Sequence, residues 1–464
     1  MAKFTSKPQL PKTTSSGRAP SFDVLLSAGG GAVVSSETQA ASSPLPTENR
    51  MDSKIYLRLS VMMFLQFFVW GAWFVTLGTH LGDINFTGSQ VGYAYLMNNI
   101  AAIVSPFFVG MIADRYFASE KVMAVLHLLG GAVMYVCAGL IDVGPMILGL
   151  ALYNLTYMPT LALVNAVSFK QMKSPDAEFP RVRVWGTIGW IAAGLTISNI
   201  LTRFDPAVEK SALPMKMAAI ASVLLGLYSL TLPNTPPQNV GKEVSVGEVL
   251  GVKALRLMKE RSFLVFVVCS LLISIPLAFY YNFTNPFLND LGMQGAAGKM
   301  SMGQMSEVGF MILMPWFFRR LGVKMMLLVG MLAWVARYAL FASGNLGSLA
   351  WMLYLGILLH GVCFDFFFVT GQIYVDRKAP KEIRASAQGF IALITYGVGQ
   401  GLGSLLSGKV VDAFTTGATK DWRMIWLIPC AFAAAIALLF AVAFKDKLSA
   451  AEPAVESTPA VEGV

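Results

Sequence analysis

Four ionisable side chains stand in stretches of sequence that are otherwise apolar: Arg183, Glu307, Arg337 and Asp365. A charge in such surroundings is costly, and where it occurs it faces a cavity, a partner of opposite sign or a transported ion. Glu307 belongs to the cluster Gln304-Met-Ser-Glu307, whose i, i+3 spacing puts an amide and a carboxylate on one helix face. Together they offer two donors and several acceptors to a hydroxylated ligand. Asp365 belongs to His360-Gly-Val-Cys-Phe364-Asp-Phe-Phe, where Phe364 adds an aromatic wall beside a titratable group. His360 lies about 140° round an ideal helix from Asp365 and about 40° from Phe364, so it is expected to join the wall and not to pair with Asp365. Arg183, Thr187 and Trp190 recur at i, i+4 and i+7, which aligns a cation, a hydroxyl and an indole on one stripe. Such a stripe suits a polar molecule with a flat heterocycle. A bland account stands beside each reading: Arg183 as an interfacial anchor, Trp190 as an interfacial tryptophan, Arg337 as half of a buried ion pair.

The elements that carry these residues are membrane spans. Of 464 residues, 55% are apolar and 13% are Asp, Glu, Lys or Arg, about half the charge of an average soluble protein. That composition excludes a water-soluble enzyme, a disordered chain and a disulfide-stapled secreted module. A spanning helix needs about 20 apolar residues. Twelve such windows occur, near residues 55–79, 89–112, 121–141, 144–168, 183–201, 213–232, 262–286, 301–318, 323–343, 348–373, 384–408 and 423–444. The expected fold is therefore an all-α membrane protein of twelve transmembrane helices in two six-helix bundles. The division is residues 51–232 and 262–447, joined by a polar linker over 233–261. With both termini in the cytoplasm, 22 Lys and Arg fall on inner segments and 7 on outer ones, the bias expected of a bacterial cytoplasmic membrane protein. Basic loops facing anionic lipid account for the net charge of +9 without nucleic acid. The four cysteines lie in apolar runs and read as reduced packing residues. Gly186, Gly189 and Gly194 in the fifth span, and Gly397, Gly399, Gly401, Gly403 and Gly408 in the eleventh, predict close helix approaches at corresponding places in the two halves. The chain carries no Walker motif, HExxH or Cys/His ligand set, so no cofactor, metal or enzymatic activity is expected. Residues 1–50 and 448–464 lack apolar periodicity and read as tails. Met51, which opens a short basic lead into the first span, reads as the start of the functional chain.

Several runs are familiar. Phe64-Leu-Gln-Phe-Phe-Val-Trp-Gly-Ala-Trp73, Tyr157-Met-Pro-Thr-Leu161, Arg183-Val-Trp-Gly-Thr-Ile-Gly189, Phe364-Asp-Phe-Phe367 and Arg384-Ala-Ser-Ala-Gln-Gly389 resemble the nucleoside:proton symporter family of the major facilitator superfamily. Gly110-Met-Ile-Ala-Asp114-Arg115 is similar to that superfamily's conformational loop between the second and third spans. The likeness runs from about Met51 to Lys447. It implies import of nucleosides with protons by alternating access, in a monomer surrounded by lipid. It also implies substrate contacts from Arg183, Thr187, Trp190, Gln304, Glu307 and Phe364, and proton coupling by Asp365. The pattern departs at three places: Ala278 and Tyr281 stand where the family has glutamine and asparagine, and His360 where it has tyrosine. Asn282 is the nearest amide to replace the loss, although a neighbour faces about 100° away on a helix. Because of those missing amides, a sugar or glycoside carrier of the same fold is the second reading. A non-translocating sensor is the third, with no sizeable output domain to support it.

Overall fold

The computed structural model describes residues 51–108, 116–237 and 252–445. The expected loop residues Gly110, Asp114 and Arg115 lie outside these, as do both tails and residues 238–251 of the linker. The helices are Ser53–Asp83 (α1), Gly88–Phe108 (α2), Ser119–Cys137 (α3), Val143–Gln171 (α4), Pro175–Leu195 (α5), Leu213–Ser229 (α6), Arg261–Asp290 (α7), Ala296–Ser343 (α8), Ala350–Lys378 (α9), Ser386–Ala413 (α10) and Trp422–Ala443 (α11). Among the described residues nine helices are long and apolar enough to cross a membrane. One of them, α8, is 48 residues long and holds two spans, and α2 and α6 complete the expected twelve. Helices dominate because hydrocarbon offers backbone groups no hydrogen bonds, so each span must satisfy its own. Asp52 caps α1 by accepting from the Lys54 amide at 2.7 Å, and Asp421 caps α11 by accepting from Met424 at 3.1 Å.

Departures from straight helix occur at a few defined places. In α8 the break is Gly322, at φ 66° and ψ 174°, a region essentially closed to residues with a Cβ; Arg319, Arg320 and Lys324 flank it. In α1 the helix pauses between Trp73 and Leu77. There the Tyr95 hydroxyl donates to the Phe74 carbonyl at 2.7 Å and accepts from the Gly78 amide at 3.1 Å, filling the gap in the ladder. Three short π-helical segments interrupt the spans, at Thr196–Ile200, Phe364–Val369 and Leu393–Gly399. None of them was expected from apolar periodicity. The start of α5 also differs: it begins at Pro175, not near residue 183, so Arg183 sits two turns inside the helix and not at its rim.

Glycines let the helices meet backbone to backbone. A Cβ on Gly189 would collide with the Phe64 carbonyl of α1, and one on Gly403 would stand 2.7 Å from the Ile275 carbonyl of α7. Between the halves, Gly92 of α2 faces the Ser404 carbonyl of α10, and Gly88 faces Gly408. The named hydrogen bonds joining the halves gather at the end of the bundle that carries the turns after α1 and α7, and at its middle. Glu209, between α5 and α6, is buried and accepts from Asn285 and Asn289 of α7, each at 2.9 Å. It also accepts from the Ala297 amide in the first turn of α8 at 3.0 Å. Asn285 in turn accepts from Thr79 of α1. Asp412 of α10 accepts from the Gly88 and Ser89 amides at 2.6 and 2.9 Å, capping α2 from the opposite half. This end is sealed.

The close approach at Gly189 generates a stability prediction. Gly189→Val should destabilise the protein by about 1–3 kcal/mol through overpacking, whereas Gly389→Ala, with no atom within 4 Å of its Cβ position, should stay within about 0.5 kcal/mol. Thermal unfolding of the purified variants in detergent checks both.

Candidate functional site

Between the two halves, below the sealed end, lies a cavity whose empty space, its open mouth included, is about 1020 Å³. Three walls enclose it. The first comes from α1 and α5. Phe67, Trp70 and Phe74 present rings at i, i+3 and i+7, and Arg183, Thr187 and Trp190 face them as the spacing predicted. Trp70 packs edge-on against Trp190 at 5.6 Å and against Phe74 at 5.7 Å. The Arg183 guanidinium lies 4.1 Å from the centre of the Phe67 ring, which gives the buried cation an aromatic face. Arg183 is thus a cavity residue and not an interfacial anchor.

The second wall comes from α7, α8 and α9: Tyr281, Gln304, Glu307, His360 and Phe364. Ser306 sets its register by donating to the Leu358 carbonyl at 2.7 Å and accepting from the Gly361 amide at 3.1 Å. Gly361 permits that approach, since a Cβ there would be 2.7 Å from the Glu307 nitrogen. The result is Glu307 Oε2 at 3.8 Å from His360 Nε2. The His360 ring stacks on Tyr280 at 5.2 Å and on Phe364 at 6.0 Å, joining the aromatic wall as expected. The third wall comes from α2 and α10, with Asn98, Asn99, Tyr396 and Gln400.

Two expected residues take other places. Asp365 does not line the cavity: it is fully buried behind Phe364, within a π-helical segment, and neither carboxylate oxygen has a hydrogen-bond partner among the described residues. Asn282 does not replace a lost amide in the cavity, because its Nδ2 donates to Ser404 and Ser407 of α10 at 3.2 and 3.3 Å. Arg337 forms no ion pair among the described residues. Its guanidinium lies 4.2 Å over the Tyr280 ring instead, the same ring that carries His360.

The chain matches the Nucleoside H+ symporter family over residues 53–449. It belongs to that family. It is 41% identical over 404 residues to the Escherichia coli (strain K12) protein YegT, covering 85% of this chain and 94% of YegT. It is 35% identical to the xanthosine permease of the same organism, covering 84% of this chain and 96% of that one. The crystal structure of the nucleoside transporter NupG superposes with a TM-score of 0.77 at 33% identity, covering 85% of this chain and 100% of NupG. The symporter is therefore a multi-pass protein of the bacterial inner membrane with the major facilitator fold, and not an enzyme. It carries nucleosides together with protons by alternating access.

Sequence reasoning missed half of the cavity. Phe67 and Trp70 stood in a run valued for its likeness to the family, with Phe74 just beyond it, and the three were not read as one helix face. The adjacent amides Asn98 and Asn99, inside an apolar window, carried a usable signal: polar pairs at that depth face a partner or a cavity. Tyr396 and Gln400, at i, i+4 in the glycine-rich eleventh span, gave the same signal.

The second wall yields a test at His360. His360→Tyr retains a flat ring with a polar atom toward Glu307, so uridine uptake should keep its KM within about threefold. His360→Leu puts an apolar side chain where a polar ring edge stood 3.8 Å from Glu307, a separation too long for a hydrogen bond, and KM should rise roughly fivefold, the cost of a buried polar group losing a polar neighbour. Labelled uridine uptake into vesicles at matched protein levels measures both.

Proposed function

We propose that the nucleoside lies across this cavity with its base between the rings of Trp190, Trp70 and Phe364 and its ribose on Gln304 and Glu307. The observation that carries the reading is the pairing of two unlike walls around one space. Flat rings on α1 and α5 match a heterocycle, and an amide and a carboxylate on α8 match vicinal hydroxyls. Arg183 and Thr187 complete the polar set on the near side, and His360 orients Glu307.

Asp365 is the coupling group. A carboxyl without donors is tolerable in a dry wall while it carries a proton, and it needs water or a counter-charge once the proton leaves. Its two protonation states thus belong to two states of hydration. Phe364, the adjacent residue, forms the cavity face, so substrate settling on that ring acts directly on the segment that holds Asp365. Two rigid units, residues 51–232 and 262–447, rock about the cavity, with residues 233–261 as the cytoplasmic connection and 1–50 and 448–464 as tails. The excess of basic residues on inner segments supports cytoplasmic termini, which turns the sealed end toward the outside and makes this the inward-facing form.

Uptake of labelled uridine and of glucose into vesicles, with and without an inward proton gradient, tests the substrate: uridine should accumulate only with the gradient, and glucose in neither case. Asp365→Asn keeps shape and hydrogen-bonding capacity but cannot cycle a proton, so it should abolish accumulation while retaining uridine exchange. Glu307→Gln should raise KM and keep the gradient dependence. Accumulation by Asp365→Asn at the unmodified level would move the coupling role to Glu307.

A further inference from the structure

The wall formed by α2 and α10 has no part in the assignment above, yet it holds a buried polar group that the fold does not use. Asn98 is 93% buried (7% exposed), its side chain lines the cavity, and its Oδ1 has no hydrogen-bond partner among the described residues. Leaving such an atom dehydrated and unpaired costs about 1–3 kcal/mol, which a ligand bond would offset. The neighbouring Asn99 supplies the contrast. Its Nδ2 donates to the Tyr396 carbonyl at 2.8 Å and its Oδ1 accepts from Ser404 at 3.3 Å, both on α10. Asn99 is committed to holding the halves together, and the Asn98 carboxamide oxygen bonds to nothing among the described residues.

Asn98 stands on the side of the cavity where the base is held. It follows Tyr95 by three residues on the same helix face, and the Tyr95 ring packs edge-on against Phe74 at 5.2 Å. Phe74 in turn packs on Trp70 and Trp190, the rings assigned to the heterocycle. Asn98, Ala102 and Ser105 all line the cavity at i, i+4 and i+7, so α2 presents one continuous face in which Asn98 is the amide not bonded to α10. A primary amide offers a donor and an acceptor side by side. The edge of uracil or of a 6-oxopurine offers the complement, a ring N–H next to a carbonyl, in one plane.

We propose that Asn98 is a specificity-determining residue that pairs with the ring N–H and adjacent carbonyl of the base. This rests on the placement of base and ribose described above. The carboxamide oxygen accepts from the ring N–H and its NH2 donates to the base carbonyl. A site built this way rejects analogues that lack the donor, because its own polar atoms are then left unpaired.

Uridine against 3-methyluridine, and inosine against 1-methylinosine, are the probes, since methylation removes the ring N–H and nothing else on the sugar. The unmodified symporter should prefer the unmethylated nucleoside by roughly thirtyfold or more in kcat/KM. Asn98→Ala should reduce that ratio to within about threefold, with uridine KM raised about tenfold and 3-methyluridine improved. Asn98→Asp keeps size and the acceptor, so it should retain a preference for the ring N–H and guards against a fold defect in the alanine variant. Asn99→Ala should keep the full ratio whatever its turnover. An unchanged ratio in Asn98→Ala, or equal loss of both nucleosides in Asn98→Ala and Asn98→Asp at normal membrane levels, overturns the assignment. Absence of any uridine or inosine transport by the unmodified protein would instead overturn the placement of the substrate.

Discussion

The structure turns on the carboxylate of Glu209. Three donors from the opposite half, Asn285, Asn289 and the Ala297 amide, converge on it at 2.9 to 3.0 Å. The amide comes from the positive end of α8, where a negative charge is favoured. Hydrogen bonds to a charged group contribute about 1.5–3 kcal/mol each, and the access states of a transporter differ by only a few kcal/mol. One such cluster is enough to decide which end of the cavity is closed. Asp412, capping α2 from α10, works in the same sense at the neighbouring helix pair. Opening that end requires both clasps to part and water to take over as donor. The glycines facing each other across α2 and α10 then have a second use: they let the helices close far enough for the clasps to form.

Below the seal, the division of labour follows from what each residue type can do without water. Rings stack on rings and leave cations something to face, as with Arg183 on Phe67 and Arg337 on Tyr280. Some polar side chains bind within the protein, as Asn282, Asn99 and Ser306 do, and others, such as Asn98, leave an atom at the cavity without a partner among the described residues. Asp365 is a third kind, without a hydrogen-bond partner among the described residues and away from the cavity surface, next in the chain to the cavity residue Phe364. On the proposed assignment, that separation keeps the proton site from being another hydroxyl-binding site. The π-helical turn over Phe364–Val369 is where a change of ligand on one residue can alter the setting of the next.

Much of this was legible in the amino-acid sequence, and the residues show why. Spans could be counted because hydrocarbon demands about 20 apolar residues per crossing. The faces of Arg183–Thr187–Trp190 and Gln304–Glu307 could be drawn because α-helical spacing is regular. What escaped was whatever depends on irregular backbone or on a second helix. The π-helical turns shift every later residue round the axis and leave no mark in apolar periodicity, although the 140° between His360 and Asp365 on an ideal helix already turned Asp365 away from the wall. Asn282 and Asn98 are the same residue type in similar apolar surroundings, and only the position of α10 commits one to Ser404 and leaves the other facing the cavity. Glu209 lies in a short connection between spans, where nothing in its neighbours announces that Asn285, Asn289 and Ala297 meet it from elsewhere in the chain.

The central claim is that nucleoside and proton cross together through this one cavity. Proteoliposomes loaded with a pH-sensitive dye, with equal pH on both sides and the membrane potential clamped at zero, test it directly when uridine is added outside. The account predicts acidification of the lumen that follows uridine entry in time and saturates with the same KM. Entry of uridine with no change in luminal pH would contradict it.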